Sequence, residues 1–290
     1  MNGLDGPDNP LPRRRRRLDR VMMTSMTLLT VLGVFWVVWI LLTTLERGFE
    51  AFSPDLFLKD TPPPGVAGGG LRNAFVGSLE LLAVALAIGT PVGLLAGTWL
   101  GEFARRHPMA GAVVRFLNDI LLSAPSIVIG LFAYTLLVAP LKHFSALAGG
   151  VALALIMIPV VVRTTDEMLR LVPDALREAA VALGIPYWRM VVHISWKAAS
   201  RGILTGILLA LARLSGETAP LLFTALNSPY FSTALDKPIA SLPVVIFQFA
   251  MSPYPDWQKL AWAGAFVAMV FILALGLLAR WLQARGTSST

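Results

Sequence analysis

Apolar residues in this chain are gathered into long runs separated by short polar segments. A helix crosses the hydrocarbon core of a bilayer with about 20 predominantly apolar residues. Six stretches meet that length, at about 21–45, 74–101, 113–138, 144–162, 202–226 and 260–281. The pattern predicts an all-α, polytopic membrane protein of about six transmembrane helices. It divides the chain into a basic tail over 1–20, a first span over 21–45, an external loop over 46–73, a helical bundle over 74–283 and a second tail over 284–290. Pro91, Pro125 and Pro159 fall within the second, third and fourth spans and read as kinks whose freed backbone groups neighbouring helices satisfy.

The segments between spans differ in character. TPPPGVAGGG, in the first external loop, is a Pro/Gly stretch without a packing signal. The loop over 227–258 holds SLPVVIFQFAM, which is apolar but too short to span, and predicts a re-entrant or interfacial piece near a pore mouth. The segment over about 164–201 has helical structure of its own. Asp174 is placed to cap a helix after Pro173, and Leu176, Ala179, Ala180 and Leu183 form one apolar stripe. Gly184 suits the left-handed position that ends such a helix, and Pro186 the first turn of the next. Trp188, Val191, Val192 and Trp196 supply a second apolar surface, with Arg177, Arg189 and Lys197 as its charged rim. The spacing predicts a helix-turn-helix at the membrane surface.

Composition supports the membrane reading and charge gives it a direction. Hydrophobic residues make up 56% and charged residues 14% of the chain, against roughly 25% charged in a soluble domain. The net charge is +7, and its placement sets topology. Of 24 Lys and Arg, 17 lie in the two tails, at Arg280 beside the second, and around 105–115 and 163–201, six lie in the opposite segments, and Arg213 lies within a span. Basic residues are retained on the cytoplasmic side, so both ends are expected inside. The first apolar run exceeds the roughly 7–15 residues of a cleavable export signal, which predicts a retained anchor. The run Arg13–Arg17 reads as a topology anchor against anionic lipid, with no nucleic-acid role.

Ionised side chains inside a bilayer are costly and mark function. Arg213 and Glu217 lie four apart in the fifth span, able to pair on one face, with Gly216 and Pro220 loosening the helix beside them. Ser215 and Thr218 can satisfy the backbone groups this frees. The arrangement predicts a translocation path in which Arg213 offers its fork of donors to an oxyanion and Glu217 holds Arg213 between substrates. Glu80, two turns into the second span, is a further path candidate. Asp119 reads as a surface ion pair with Arg115. No metal site is expected: the chain has no Cys, and its three His are not at ligand spacing.

Glu178-Ala179-Ala180, then Gly184, Ile185 and Ile194, resembles the EAA loop of ABC importer permeases. Where that pattern continues with Leu and Pro, this chain has Trp196 and Lys197. GTPVGLLAGTWLGEFA (89–104), APSIVIGLFAY (124–134), IPVVVRTTDEMLRLVP (158–173), ARLSGETAPLLFTA (212–225) and SLPVVIF (241–247) resemble the phosphate-specific branch of that family. The resemblance implies a heterodimer with a second permease, a dimeric cytoplasmic ATPase seated on the EAA loop and an extracytoplasmic phosphate-binding protein. Other oxyanions, namely molybdate, sulfate or phosphonate, are the alternative substrates, and an ion-coupled secondary carrier is the alternative class. No G-x-x-x-x-G-K-[ST] motif is present, so ATP and Mg are expected in the partner and no cofactor or catalytic group in this chain.

Overall fold

The computed structural model describes residues 10–287 and is helical, with no strand among them. Residues 1–9 and 288–290 of the two tails lie outside the described residues. Helix α1, Pro10–Glu50, carries the arginine run and the first span as one rod, so this part of the basic tail is helical. The short α2, Asp55–Leu58, follows. The second span is α3, Arg72–Thr98, extended by a π-turn over Trp99–Phe103 and a 3₁₀ turn over Ala104–Arg106. Pro91 stays inside α3, as a kink that neighbours accommodate.

The third span departs from the expectation. It divides into α4, Pro108–Ser123, and α5, Ser126–Ala133, which runs on through a π-turn to α6, Ala139–Leu141. The two arms meet at Pro125 at an angle of 100°. This is a break, and beyond it Gly130 on α5 lies against Pro220, so close that a methyl carbon on it would sit 2.5 Å from Pro220 Cα. The fourth span, α7, Ala146–Arg170, is continuous through Pro159 and longer than expected. Ser145 caps it, accepting from Ala148 N–H at 3.2 Å.

Helix α8, Asp174–Ala182, is the first arm of the helix-turn-helix. The second arm is not separate. It begins as α9, Tyr187–Met190, and continues through a π-turn over Val191–Ser195 into α10, Trp196–Leu214, the fifth span. That span ends twelve residues short of the expected 226, and α11, Ala219–Thr224, follows after a break. Helix α12, Leu242–Ala250, is the expected short apolar piece, and α13, Pro255–Thr287, is the last span.

Helix α7 is the centre of the bundle. Two-thirds of its apolar window (67%) is buried inside the chain, against 6% for α1. Its main neighbour is α3, and the reason is a glycine at every fourth position. Gly89, Gly93, Gly97 and Gly101 face Met157, Val161, Thr165 and Leu169 in turn. Small residues let helix backbones approach inside a bilayer, where close packing stands in for the hydrophobic effect. Gly202 and Gly206 bring α10 onto Met168 and Thr164 of α7 in the same way.

The loops sort into two layers. Arg105, Arg106 and the α8–α9 turn share one end, where Arg105 Nη1 meets Asp174 Oδ1 at 3.0 Å. At the opposite end the Pro/Gly loop is tied down: Trp257 Nε1 donates to the Pro62 carbonyl at 3.3 Å and Thr61 Oγ1 to Asn73 Oδ1 at 2.8 Å. Helix α12 dips inward from that end, its Leu242 N–H donating to Ser78 Oγ on α3 at 2.7 Å. Ser145, which follows α6, bonds Thr224 at this end, so the bent α4–α5 pair crosses from one layer to the other. Among the described residues five helices are long and apolar enough to cross a membrane, and the bent pair taken as one span makes six.

Candidate functional site

Arg213 and Glu217 are brought together, but not as neighbours on one helix face. Helix α10 stops at Leu214, Ser215 Oγ donates back to the Leu211 carbonyl at 2.7 Å, and the chain turns through Gly216. Arg213 Nε lies 3.9 Å from Glu217 Oε1, beyond hydrogen-bond length. The Arg213 side chain is 56% exposed and that of Glu217 only 16%. A guanidinium so loosely held keeps its donors available. Thr218 precedes α11 without a capping bond from its side chain, and the Leu211 carbonyl that Ser215 Oγ reaches already accepts the Ser215 N–H, at 2.9 Å. The two breaks lie side by side, since α11 packs on α5 through Pro220 and Gly130. Glu80 is elsewhere: it forms no ion pair with a described basic residue, and its Oε2 is buried without a hydrogen-bond partner.

A second constellation lies at the other functional segment. Gly184 adopts the left-handed conformation (φ 74°). Ile185 N–H bonds the Ala180 carbonyl at 3.2 Å and Gly184 N–H that of Val181 at 2.9 Å, the Schellman pattern that closes a helix. Asp174 does not cap α8; Pro173 holds that position and the carboxylate bonds Arg105 and Arg177. The Arg105 guanidinium, and after it Arg177, holds the Asp174 carboxyl below the usual carboxylate range. That tie is kept above the ordinary range and lost as pH falls through the lowered value.

Of the apolar stripe foreseen on α8 only Ala180 packs inward. Ala180 is buried over Met190 and Val191, with Ile185 and Ile194 half-buried beside it. Leu176, Glu178, Ala179 and Leu183 are exposed, Leu183 at 80%. Arg177, expected on the rim, is the buried one. Its Nη2 lies 2.8 Å from Glu102 Oε1, and the two side chains are 8% and 1% exposed. Asp119 also differs from expectation: it faces Arg163 at 3.7 Å, while Arg115 pairs with Asp166 at 2.8 Å.

The family profile of the binding-protein-dependent transport system inner membrane component matches residues 89–287, which contain both constellations. The chain is 56% identical over 245 residues to the phosphate transport system permease protein PstA of Yersinia pestis, covering 84% of this chain and 83% of that one. It is 58% identical to the protein of that name from Xylella fastidiosa strain 9a5c, covering 84% of each. This chain belongs to the PstA family of binding-protein-dependent permeases. A more distant PstA relative, described as probable, from Methanocaldococcus jannaschii, is 39% identical over 71% of this chain and 73% of its own. The fold resembles a crystal structure of the inward-facing MetNI methionine ABC transporter, with a TM-score of 0.55 at 18% identity, covering 75% of this chain and 96% of that one.

A PstA-family permease is a multi-pass membrane protein that works with an ATPase and a substrate-binding protein. Two features of this one escaped sequence reading. The glycine ladder was visible as G-x-x-x-G repeated three times over 89–101. Glu102 and Tyr187 carried no local signal, because the partner of Glu102 lies 75 residues away. Truncating either member of a buried ion pair leaves the other charge unpaired, at about 3–5 kcal/mol.

Proposed function

We propose that this chain is one of two channel-forming permease subunits of an ATP-driven importer of inorganic phosphate. The observation that carries the reading is the 56–58% identity, over 84% of the chain, to proteins named as phosphate transport permeases. Arg213 is the group that meets the anion at the break between α10 and α11, where its donors are uncommitted. A phosphate oxygen pair fits the guanidinium fork, and Glu217 receives Arg213 again as the anion leaves. Ser215 and Thr218 flank Arg213 on that route, and Glu80, on α3, lines it at a separate point.

The exposed face of α8 is the seat of a dimeric cytoplasmic ATPase, which binds ATP and Mg; this chain holds no cofactor. Glu178, Ala179, Ala180, Gly184, Ile185 and Ile194 build that contact, the first two by touching the partner and the others by shaping the turn. Phe116, Leu117, Leu131 and Phe132, exposed on α4 and α5, fit the second, homologous permease. The layer formed by 53–71 and 227–254 faces the phosphate-binding protein. Both ends of the chain and the α8–α9 turn are cytoplasmic, in keeping with the distribution of Lys and Arg in a bacterial inner membrane.

The test is ATPase stimulation in the complex reconstituted in liposomes. Binding protein loaded with phosphate is expected to stimulate at least about tenfold more than the same protein offered sulfate or molybdate. Equal stimulation would remove phosphate from the reading. Leu183→Asp and Glu178→Arg alter exposed side chains, so they are expected to leave membrane insertion intact. Each should weaken recovery of the ATPase with the permease by about tenfold or more, as an interface anchor does. Full recovery would place the ATPase elsewhere.

A further inference from the structure

We propose that Glu102, Arg177 and Tyr187 are positioning residues that latch α8 to the end of α3, so that the two move as one body during transport. The inference rests on the reading of α8 as the ATPase contact. Helix α8 has two faces with different duties. Glu178 points outward, while its neighbour Arg177 points into the protein and spends its donors on three elements. Nη2 reaches Glu102 Oε1 at 2.8 Å and the Leu169 carbonyl of α7 at 2.6 Å. Nη1 reaches the Val172 carbonyl and Asp174 Oδ1. The Tyr187 hydroxyl donates to the other carboxylate oxygen, Glu102 Oε2, at 3.2 Å.

The ion pair is one layer of a longer seam. Below it the Phe103 and Tyr187 rings meet edge to face at 5.4 Å, beside Ala180, Met190 and Val191. One turn deeper, Trp196 Nε1 donates to Thr98 Oγ1 of α3 at 2.9 Å. An apolar seam alone can slide; a forked guanidinium on a carboxylate fixes one register. Both strands of the seam contain π-turns, Trp99–Phe103 around Glu102 and Val191–Ser195 after Met190. Such turns are locally weaker helix and are frequent at functional sites. Glu102 lies within the first of them, so the latch pins that turn to α8 and holds the end of α3 in one arrangement.

From the latch a packed route leads to Arg213. Helix α3 is seated on α7 along its glycines, and α7 meets α11 where Gly149 lies against Leu221 and Ala225. A displacement of α8 is therefore handed to α3 and α7 and reaches the break beside Arg213.

The chain has no cysteine, so within it two labels can be placed uniquely, with any cysteines of the partner subunits replaced. In the complete importer, with ATPase, partner permease and binding protein, Ala179→Cys and Leu95→Cys carry spin labels on exposed positions of α8 and α3. Their distance is expected to stay constant between nucleotide-free and ATP-trapped states, and a shift of several ångströms would overturn the latch. In the same complex, Glu102→Gln is expected to retain the ATPase and hydrolysis, yet move about tenfold less phosphate per ATP. Glu102→Asp should recover most of that ratio, and Tyr187→Phe should lower it by about threefold. An unchanged ratio in Glu102→Gln would also overturn the proposal. Should Glu102→Gln fail to assemble, the label distances in the otherwise unaltered chain decide. Failure of the α8 reading itself is separate, and is read from ATPase recovery with Leu183→Asp.

Discussion

Phosphate uptake by the Arg213→Gln variant is expected to fall at least about a hundredfold, with the importer still assembled. Each hydrogen bond to a charged group contributes about 1.5–3 kcal/mol, and a guanidinium offers two to one phosphate. Losing both corresponds to roughly a hundredfold or more in affinity. Gln cannot replace the charge, and at 56% exposure the side chain contributes little packing, so the bundle survives the change. Arg213→Lys keeps the charge without the fork and should retain part of the uptake. Glu217→Gln tests the other half of the idea. Without a carboxylate to receive Arg213, the anion should bind more tightly and leave more slowly, lowering turnover more than affinity. Radiolabelled phosphate uptake into liposomes, at several phosphate concentrations, separates these outcomes. Undiminished uptake by Arg213→Gln would remove the residue from the path.

The chemistry of this site was legible because it needed one observation: charges inside an apolar run. Its geometry was not. Sequence placed Arg213 and Glu217 on one continuous helix, whereas the helix ends between them. Pro220 and Gly216 signalled weakness, but whether a proline kinks a helix or breaks it depends on what packs beside it. Pro91 and Pro159 are held in unbroken helices, while Pro125 marks a bend of 100°. The arm beyond that bend packs through Gly130 against Pro220, residues 90 positions apart that no local pattern connects.

Helix α8 makes the same point from the other side. Its end at Gly184 was readable, since a Schellman turn is made from six consecutive residues. Periodicity also identified an apolar stripe, but periodicity names a face without saying what covers it. Leu176 and Leu183 remain uncovered in this chain, and Arg177 turns inward because Glu102 awaits it. The spans themselves were the most legible feature, because hydropathy sums over a long window and forgives errors at either end.

The other large effect is expected at the seam between α3 and α7. Gly97→Leu should sharply reduce the yield of folded permease, and Gly93→Leu together with Gly97→Leu should remove it. A methyl carbon on Gly97 would lie 2.6 Å from Thr165 Cβ and 2.7 Å from the Val162 carbonyl oxygen. A backbone oxygen cannot swing aside, so the helices must separate. Overpacking a core costs about 1–3 kcal/mol per site, and here the separation spreads along a ladder of four contacts. Gly101 provides the internal control. A methyl carbon there would sit 3.0 Å from Leu169 Cβ, with the nearest backbone oxygen 3.6 Å away. Gly101→Ala should therefore be tolerated where Gly97→Ala is not. Thermal unfolding in detergent, followed by the monodisperse fraction on size exclusion, ranks the variants. Equal stability of Gly97→Ala and Gly101→Ala would mean that the seam is looser than these distances require. It would also weaken α3 as the member that carries motion from α8 into the bundle, since a loose seam absorbs displacement before it reaches Arg213.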